Sequence, residues 1–189
     1  MSGVRITHDS TASVRASIRA LLKKEILVGI PAEDAERYQP GAGSAQVNNA
    51  MIGYWMEYGI PSRNVPARPS LIPGIQSVIN PVADQLAGAA RAAVTRDADG
   101  AENRLHAAGL IASAGVKNYI NAGVGPALSE YTLRKRAARG GGSTIAAAAQ
   151  EELDNRANVP GYAPSLDLAK PLVDTAQFRN AITYVIKAR

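Results

Sequence analysis

A short apolar segment followed directly by a proline-rich one constrains this chain more than any other feature. Residues 49–59 read NAMIGYWMEYG, which predicts a short helix capped by Asn48 or Asn49 and ended by Gly59. Residues 61–69 read PSRNVPARP, where each proline lacks an amide donor and favours an extended residue before it. We therefore predict a stiff, extended connector after the helix. Large aromatic residues on a short helix usually belong to a core, so Tyr54 and Trp55 are expected there.

Hydrophobic periodicity predicts further helices on both sides of this segment. They span residues 11–24, 71–96, 101–120, 129–139 and 144–156. Pro81 should kink the second helix or restart it behind an Asn80 cap, and Asp99 with Glu102 resembles a capping box for the third. The first helix should pack one face on a sheet. The last has a thin apolar face, so we expect it to dock on a neighbouring subunit.

Two β-branched, apolar runs predict strands at residues 25–30 and 181–186. The first is almost continuously hydrophobic, which favours a buried central position, and a helical turn around residues 175–180 should precede the second. The predicted fold class is α+β, with a small twisted antiparallel or mixed sheet, long helices packed on one face, and extended loops and an arm. We expect additional strands in this sheet.

The length of 189 residues allows one sizeable core and is short for two. We predict a single domain over residues 1–189, with a flexible loop at 31–47 and a linker and arm at 140–165 that begin with three glycines. The chain has one Phe and one Trp, so its core must be built mainly from aliphatic residues. A core this modest favours order gained from neighbouring subunits.

Several function classes find no support in the residues. The chain has no cysteine, which excludes disulfides and thiolate chemistry, and its two histidines, His8 and His106, lack metal-site spacing. The acidic clusters at 33–36 and 151–154 are expected to be solvated. No run is long enough to span a membrane and no signal peptide is apparent, so we expect a protein made in the cytoplasm, without membrane contact. We predict no catalytic, cofactor-binding or metal site.

The net charge is +5, which allows contact with nucleic acid or with an acidic protein surface. Two groups of basic residues are the candidates for facing DNA or a partner. They are a stripe at helical spacing and a dense cluster: Arg15, Arg19 and Lys23, and Arg134, Lys135, Arg136 and Arg139. A solvated helix face is the more common explanation of such a stripe.

Three further features of the sequence form an ordered pattern. The first segment reads IGYWMEYG and then PSRNVPARPSLIP. The second, PALSEYTLRKR at 126–136, is similar to a P-L-S-x-x-T-L-x-x-R pattern, and the third, PLVDTAQFRNAI at 171–182, is similar to P-L-x-D-T-G-x-L-x-x-S-I. In this order the three segments resemble the neck and tail-completion proteins of long-tailed bacteriophages, and the resemblance covers about residues 25–186. Compared with that family, Ala176 replaces the usual glycine, and Ser70 stands where an aromatic is common.

The resemblance implies a virion structural protein at the head–tail junction, which completes the tail or connects it to the head by ring assembly. The implied partners are further copies in a homo-oligomeric ring, the head–tail connector or adaptor, tail-tube or terminator proteins, and the packaged DNA. The residues carried over from the family's patterns are Trp55, Glu57, Pro66, Arg68, Pro69, Asp174 and Thr175. Arg68, between two prolines, is expected to bond backbone carbonyls or Glu57. The loop 31–47, the connector 61–69 and the arm 143–164 are the expected contact elements.

Three alternatives stay open. A tail terminator that caps the tail tube has a similar size and fold class. A basic nucleic-acid-binding protein of a different class would explain the charge, although few aromatic residues argue against a stacking platform for single strands. An enzyme, such as a virion-associated hydrolase, comes last because no motif supports it.

Overall fold

The computed structural model describes residues 10–36, 47–139, 143–174 and 176–189. Within these ranges the chain is a helix-dominated α+β fold with one two-stranded antiparallel sheet, which confirms the predicted class to that extent. Its elements are α1 (Thr11–Leu22), β1 (Lys24–Gly29), α2 (Asn49–Tyr58), α3 (Leu71–Gln76), α4 (Ile79–Val94), α5 (Ala98–Ala122), α6 (Glu130–Ala137), α7 (Thr144–Asn158), α8 (Gln177–Ala181) and β2 (Thr183–Ala188). Short 3-10 turns lie at Ala32–Asp34 and Pro61–Arg63.

The long helix α5 is the element on which the main core is built. Helices α3 and α4 and both strands pack against it. Its buried face carries Leu105, Ala108, Ala112, Val116 and Ile120, at helical spacing. Val116 and Ile120 form the centre of the core with Phe178 and Ile182, which arrive from α8 and from the residue before β2. Helix α2 lies against α8 and closes the core from one side.

The sheet is smaller and more exposed than expected. Ile26 pairs with Ile186 and Leu27 with Val185, in antiparallel register. The prediction of a buried central first strand is wrong, because β1 has β2 as its only neighbour in the described sheet and Leu27 is 45% exposed. Beyond these two strands, the described chain adds only an isolated bridge between Ile60 and Val65.

Three details of helix placement differ from the predictions. The helical run expected over 71–96 breaks at Ser77–Val78, so α4 starts two residues before Pro81 and holds that proline in its first turn, where no amide donor is needed. Asp97, and not Asp99, caps α5 by accepting from the Gly100 N–H at 2.8 Å. Helix α1 packs against α4 more than against the sheet.

Helices α6 and α7 form a second, smaller packing unit beside the main core. Leu128, Leu133, Ala149 and Ala169 are its buried centre, and Leu153 packs against them. The thin apolar face of α7 is therefore covered by α6 of the same chain, which corrects the expectation that α7 docks only on a neighbour. The predicted glycine linker, 140–142, lies outside the described residues, as do residues 37–46 of the predicted loop.

Helices α3 and α5 approach closely at two glycines, Gly74 and Gly115. A Cβ atom at Gly74 would lie 2.5 Å from Cα of Val116, which is a backbone atom that cannot turn aside. We expect Gly74→Ala to lower the free energy of unfolding by about 1.5 kcal/mol, because the two helices must separate. Urea unfolding measures the change. Gly29→Ala is the matched control, since a Cβ at Gly29 meets nothing within 4 Å; equal losses in both variants would contradict the close packing.

Candidate functional site

The three segments that carry the family resemblance meet at one cleft of about 980 Å³. All of its lining residues come from 52–68, 127–136 and 171–178. The apolar walls include Ile52 and Met56 of α2, Leu172 and Phe178. We call this space the arginine cleft, because Arg68 and Arg136 both line it. Sequence segments more than one hundred residues apart therefore contribute to a single surface feature.

The chain reaches the cleft through a tight turn after α2. Asn48 caps α2 by accepting from the Met51 N–H at 2.8 Å, and Gly59 ends the helix with φ of +76°, as the sequence predicts. The extended connector is only partly confirmed. Residues 61–63 form a 3-10 turn, and Asn64 takes a left-handed conformation that brings Val65 back to pair with Ile60. The chain turns there because asparagine tolerates this conformation at small cost.

Arg68 joins this turn to the segment before α6. Its side chain is buried with only 7% of the residue exposed, and it donates from Nε to Pro126 O at 2.9 Å and from Nη2 to Ala127 O at 3.3 Å. Of the two partners predicted for it, the backbone carbonyls are correct and Glu57 is not. Burial, and then the nearby charge of Arg136, lower the pKa of Arg68.

Glu57 instead caps helix α3. Its Oε2 accepts from the backbone N–H groups of Ser70 at 2.8 Å and of Leu71 at 3.1 Å. These are amides at the start of a helix that lack partners within the helix, and they favour a negative charge. The carboxylate thereby fixes the angle between α2 and α3.

Removing this cap should have a measurable effect. We expect Glu57→Ala to lower the free energy of unfolding by about 1 kcal/mol, the usual loss for an N-terminal cap. Thermal unfolding followed by circular dichroism measures it. Glu151→Ala, on the exposed side of α7, is the control and should change little; a silent Glu57→Ala would contradict the capping role.

Arg136 anchors α6 to the segment before α8. It is 7% exposed, and its Nη1 donates to Lys170 O and to Val173 O, both at 3.0 Å. Asp174 lies 3.8 Å from its Nε and receives two hydrogen bonds from Arg139 Nη1, at 2.6 and 2.7 Å. Burial lowers the pKa of Arg136, Asp174 opposes that change, and Arg139 adds to it. Arg136 does not lie on the exposed surface of α6 with the rest of the predicted basic cluster, because its Nη1 bonds to carbonyl groups inside the fold.

The other predicted basic residues lie at the surface. Arg15, Arg19 and Lys23 are exposed on α1. On α6, Arg134 is 3.5 Å from Glu130, and Lys135 lies 4.7 Å above the ring of Tyr131. Arg139 is committed to Asp174. The basic cluster predicted on α6 is therefore divided between structural and surface positions.

The remaining residues taken from the resemblance differ in how far they are exposed. Trp55 is half-buried, whereas Pro66 and Pro69 are exposed, and Pro66 lines the cleft. Thr175 lies outside the described residues. The expectation of a core position is wrong for Tyr54, which is 65% exposed and packs against Tyr58 at 4.9 Å between ring centroids. The aliphatic side of α2 packs against the core, so both tyrosines lie on the outward side of this helix.

A buried carboxylate on α7 is the main residue that the sequence interpretation missed. Glu152 was expected to be solvated with its acidic neighbours, yet it has 0% exposure. Its oxygens accept from Arg156 Nε at 2.9 Å, the Tyr162 hydroxyl at 2.7 Å and the Ser165 N–H at 2.9 Å. Burial alone would raise the pKa of Glu152, but these hydrogen bonds and the Arg156 charge outweigh it and lower that pKa. Only the i,i+4 spacing of Glu152 and Arg156 signals such a pair in the sequence.

A search of the described residues for other site types finds little. They contain no group of three or more histidine or acidic residues placed to hold a metal ion. In the same part of the chain, no helix combines the length and hydropathy needed to cross a membrane. The arginine cleft, with fixed cations between apolar walls, is suited to binding a group that carries negative charge.

Comparisons with known proteins do not add a family to this description. A scan against protein-family models found no match. Searches of curated proteins and of solved structures found no match either.

Proposed function

We propose that this chain is a structural protein of a tailed-phage neck, which completes the tail or joins it to the head by assembling into a ring. The observation that carries the proposal is the meeting of the three resembling segments at one cleft. Arg68 and Asp174, which were carried over from the family's patterns, line it and make specific contacts, and Glu57 of the same patterns caps α3 beside it. Residues that a family shares for architectural reasons would be expected to have such contacts.

The exposed apolar surface also supports an assembling protein. Met51, Tyr54 and Tyr58 follow one another along α2 with 44%, 65% and 66% exposure, and Ile72 nearby in the chain is 58% exposed. Grouped apolar side chains on a surface are typical of protein interfaces, and tyrosine is enriched there. In a ring, this side of α2 would contact another subunit, and no cofactor or covalent chemistry would be needed.

The proposed partners are other copies of the chain, the head–tail connector or adaptor, and the tail tube or a terminator. The proposed location is the head–tail junction of the virion. The basic stripe of Arg15, Arg19 and Lys23 is fully on the surface of α1, which favours a contact with the packaged DNA in the same assembly. Charge alone does not make the isolated chain a DNA-binding protein.

Cryo-electron microscopy of the neck of particles that contain this chain tests the proposal. We expect a ring of copies between the connector and the tail tube, into which the fold fits with α1–α5 intact. Particles from a phage that lacks the coding sequence are the control, and they should show tails or heads that do not join. Absence of the chain from purified virions would overturn the proposal.

The same deletion separates completion from termination. A missing completion protein should leave tail tubes of normal length that fail to join heads. A missing terminator should instead give tubes of variable length, which would favour the tail-terminator alternative. If purified chain binds duplex DNA tightly, and does so without forming oligomers, the alternative of a free nucleic-acid-binding protein gains support.

A further inference from the structure

The arginine cleft contains hydrogen-bond donors that the described part of the chain does not use. Arg68 donates through Nε and Nη2, and Arg136 through Nη1. In the described chain, Nη1 of Arg68 and Nη2 of Arg136 have no acceptor, and neither nitrogen is sealed from solvent. Both residues line the cleft and are more than nine-tenths buried, and Arg136 also lines a second pocket beside α7.

Two guanidinium groups in the same cleft favour an anionic occupant. Among the described lining residues Asp174 is the one carboxylate, and it is already bound to Arg139, which lies outside that lining. A carboxylate placed between Arg68 and Arg136 would accept their free N–H groups and relieve the repulsion between two partly desolvated cations. The apolar walls from Ile52, Met56 and Phe178 would accommodate small apolar residues beside that carboxylate.

The chain has a segment of this chemistry elsewhere on its surface. Residues 30–36 read IPAEDAE, and Glu33, Asp34 and Glu36 are exposed and form no ion pair with the described chain. We call these three residues the acidic turn. Asn49 fixes its position, because its N–H donates to Ala35 O at 2.7 Å and its Nδ2 to Glu36 O at 2.9 Å. The acidic turn therefore projects from the start of α2.

The acidic turn lies at the start of α2, and Arg68 of the arginine cleft lies beside the last turns of that helix. The backbone of Arg68 bonds to Met56 O at 2.6 Å, and Met56 follows Asn49 by seven residues, which is about 10 Å of helix at 1.5 Å per residue. The acidic turn contributes no residue to the cleft of its own chain. Where such complementary groups of one subunit bind two different neighbours, the contact is heterologous and head-to-tail.

We propose that the acidic turn of one copy binds the arginine cleft of the next copy. This inference rests on the proposed function, since it names the contact through which the ring would form. The proposed occupant of the cleft is a second copy of this chain. Its acidic turn offers three carboxylates that form no ion pair in the described chain, and the cleft offers two arginines with unused donors. Because both sides are charged, the contact should weaken as ionic strength rises.

Two charge-altering variants of the full chain test the contact. Glu33→Lys/Asp34→Lys reverses two charges of the acidic turn. Thr132→Glu adds a competing carboxylate to the cleft lining, in the first turn of α6, where a negative charge is compatible with the helix. Sedimentation velocity should show that each variant associates at least about tenfold more weakly than the native chain, about 1.4 kcal/mol per contact. Asp84→Lys/Glu151→Lys, on exposed surfaces of α4 and α7, is the charge-matched control and should associate normally.

Mixing the two variants gives a sharper result. The turn variant keeps an intact cleft, and the cleft variant keeps an intact turn, so one good contact remains between them. We expect the mixture to form one-to-one dimers that grow no further. Unchanged assembly in both variants, or a mixture that restores complete oligomers, would overturn the head-to-tail contact.

A second measurement applies if the native chain stays monomeric. A synthetic IPAEDAE peptide should then shift the NMR resonances of residues around Arg68 and Arg136, and IPAKKAE should not. Failure of IPAEDAE to bind at millimolar concentration would overturn the inference. The proposed function would still stand if a neck ring were observed; conversely, variants that weaken assembly in a protein absent from virions would support the contact and refute the neck role.

Discussion

Replacing Glu152 with glutamine should lower the free energy of unfolding by about 4 kcal/mol, because it leaves the Arg156 cation paired with a neutral amide in the interior. Glutamine also cannot accept from Arg156, Tyr162 and Ser165 as the charged carboxylate does. Urea unfolding at neutral pH measures the loss. Glu151→Gln, one residue earlier and exposed, is the control and should change the free energy by less than about 0.5 kcal/mol.

Glu152 should also make the free energy of unfolding depend on pH. The folded-state pKa of Glu152 is lowered, so its contribution to stability is present above the ordinary pKa of a glutamate. That contribution is lost as pH falls through the lower, folded-state pKa. On acidification, we expect the native chain to lose more of its free energy of unfolding than the Glu152→Gln variant does. Parallel pH profiles for the two proteins would contradict it.

Replacing Arg136 with methionine should lower the free energy of unfolding by about 3 kcal/mol. Methionine fills much of the same space, but the carbonyls of Lys170 and Val173 lose their donor, at about 1–3 kcal/mol for each buried group left without a partner. Relief from burying the cation offsets part of that loss. Fluorescence of Trp55, the single tryptophan, follows the unfolding transition in urea.

Two further variants show whether the hydrogen-bond geometry of Arg136 or its charge stabilises the junction between α6 and residues 170–173. Arg136→Lys keeps the positive charge but replaces a planar, forked donor with a point charge, so it should remain clearly less stable than the native chain. Arg134→Met, on the exposed side of the same helix, removes a pair with Glu130 and should change the free energy by less than about 1 kcal/mol. If Arg136→Lys is as stable as the native chain, the two carbonyl bonds are not what stabilises this junction.

Local rules predicted much of the secondary structure. The Asn48 cap and the positive φ of Gly59 follow from residue types at the ends of one helix, and the existence of α5 follows from hydrophobic periodicity. These features depend on neighbours within about one turn of helix. The sequence predicts a break at Asn80 and Pro81, whereas α4 already starts at Ile79. Pro81 is tolerated in the first turn of α4, because its missing donor has no consequence there.

The candidate site was predictable in its residues but not in its arrangement. The resemblance pointed to Glu57, Arg68 and Asp174; Arg68 and Asp174 line the cleft, and Glu57 caps α3. Composition suggested a surface cluster on α6, yet Arg136 is buried, because residues 170–173 bring carbonyl groups against that helix from a distant part of the chain. Glu152 was missed for the same reason, since Tyr162 and Ser165 approach it through a loop that has no periodic pattern.

The two buried arginines bind main-chain oxygens and almost no side chains, and this has a consequence for how the protein can change over evolution. A carbonyl group is present whichever amino acid carries it, so positions 126, 127, 170 and 173 can be substituted without removing the acceptors of Arg68 and Arg136. The arginines themselves have no equivalent replacement. Selection should therefore hold two positions and leave their partners free to drift, and descendants of this chain would share the junction long after the sequences around it had diverged.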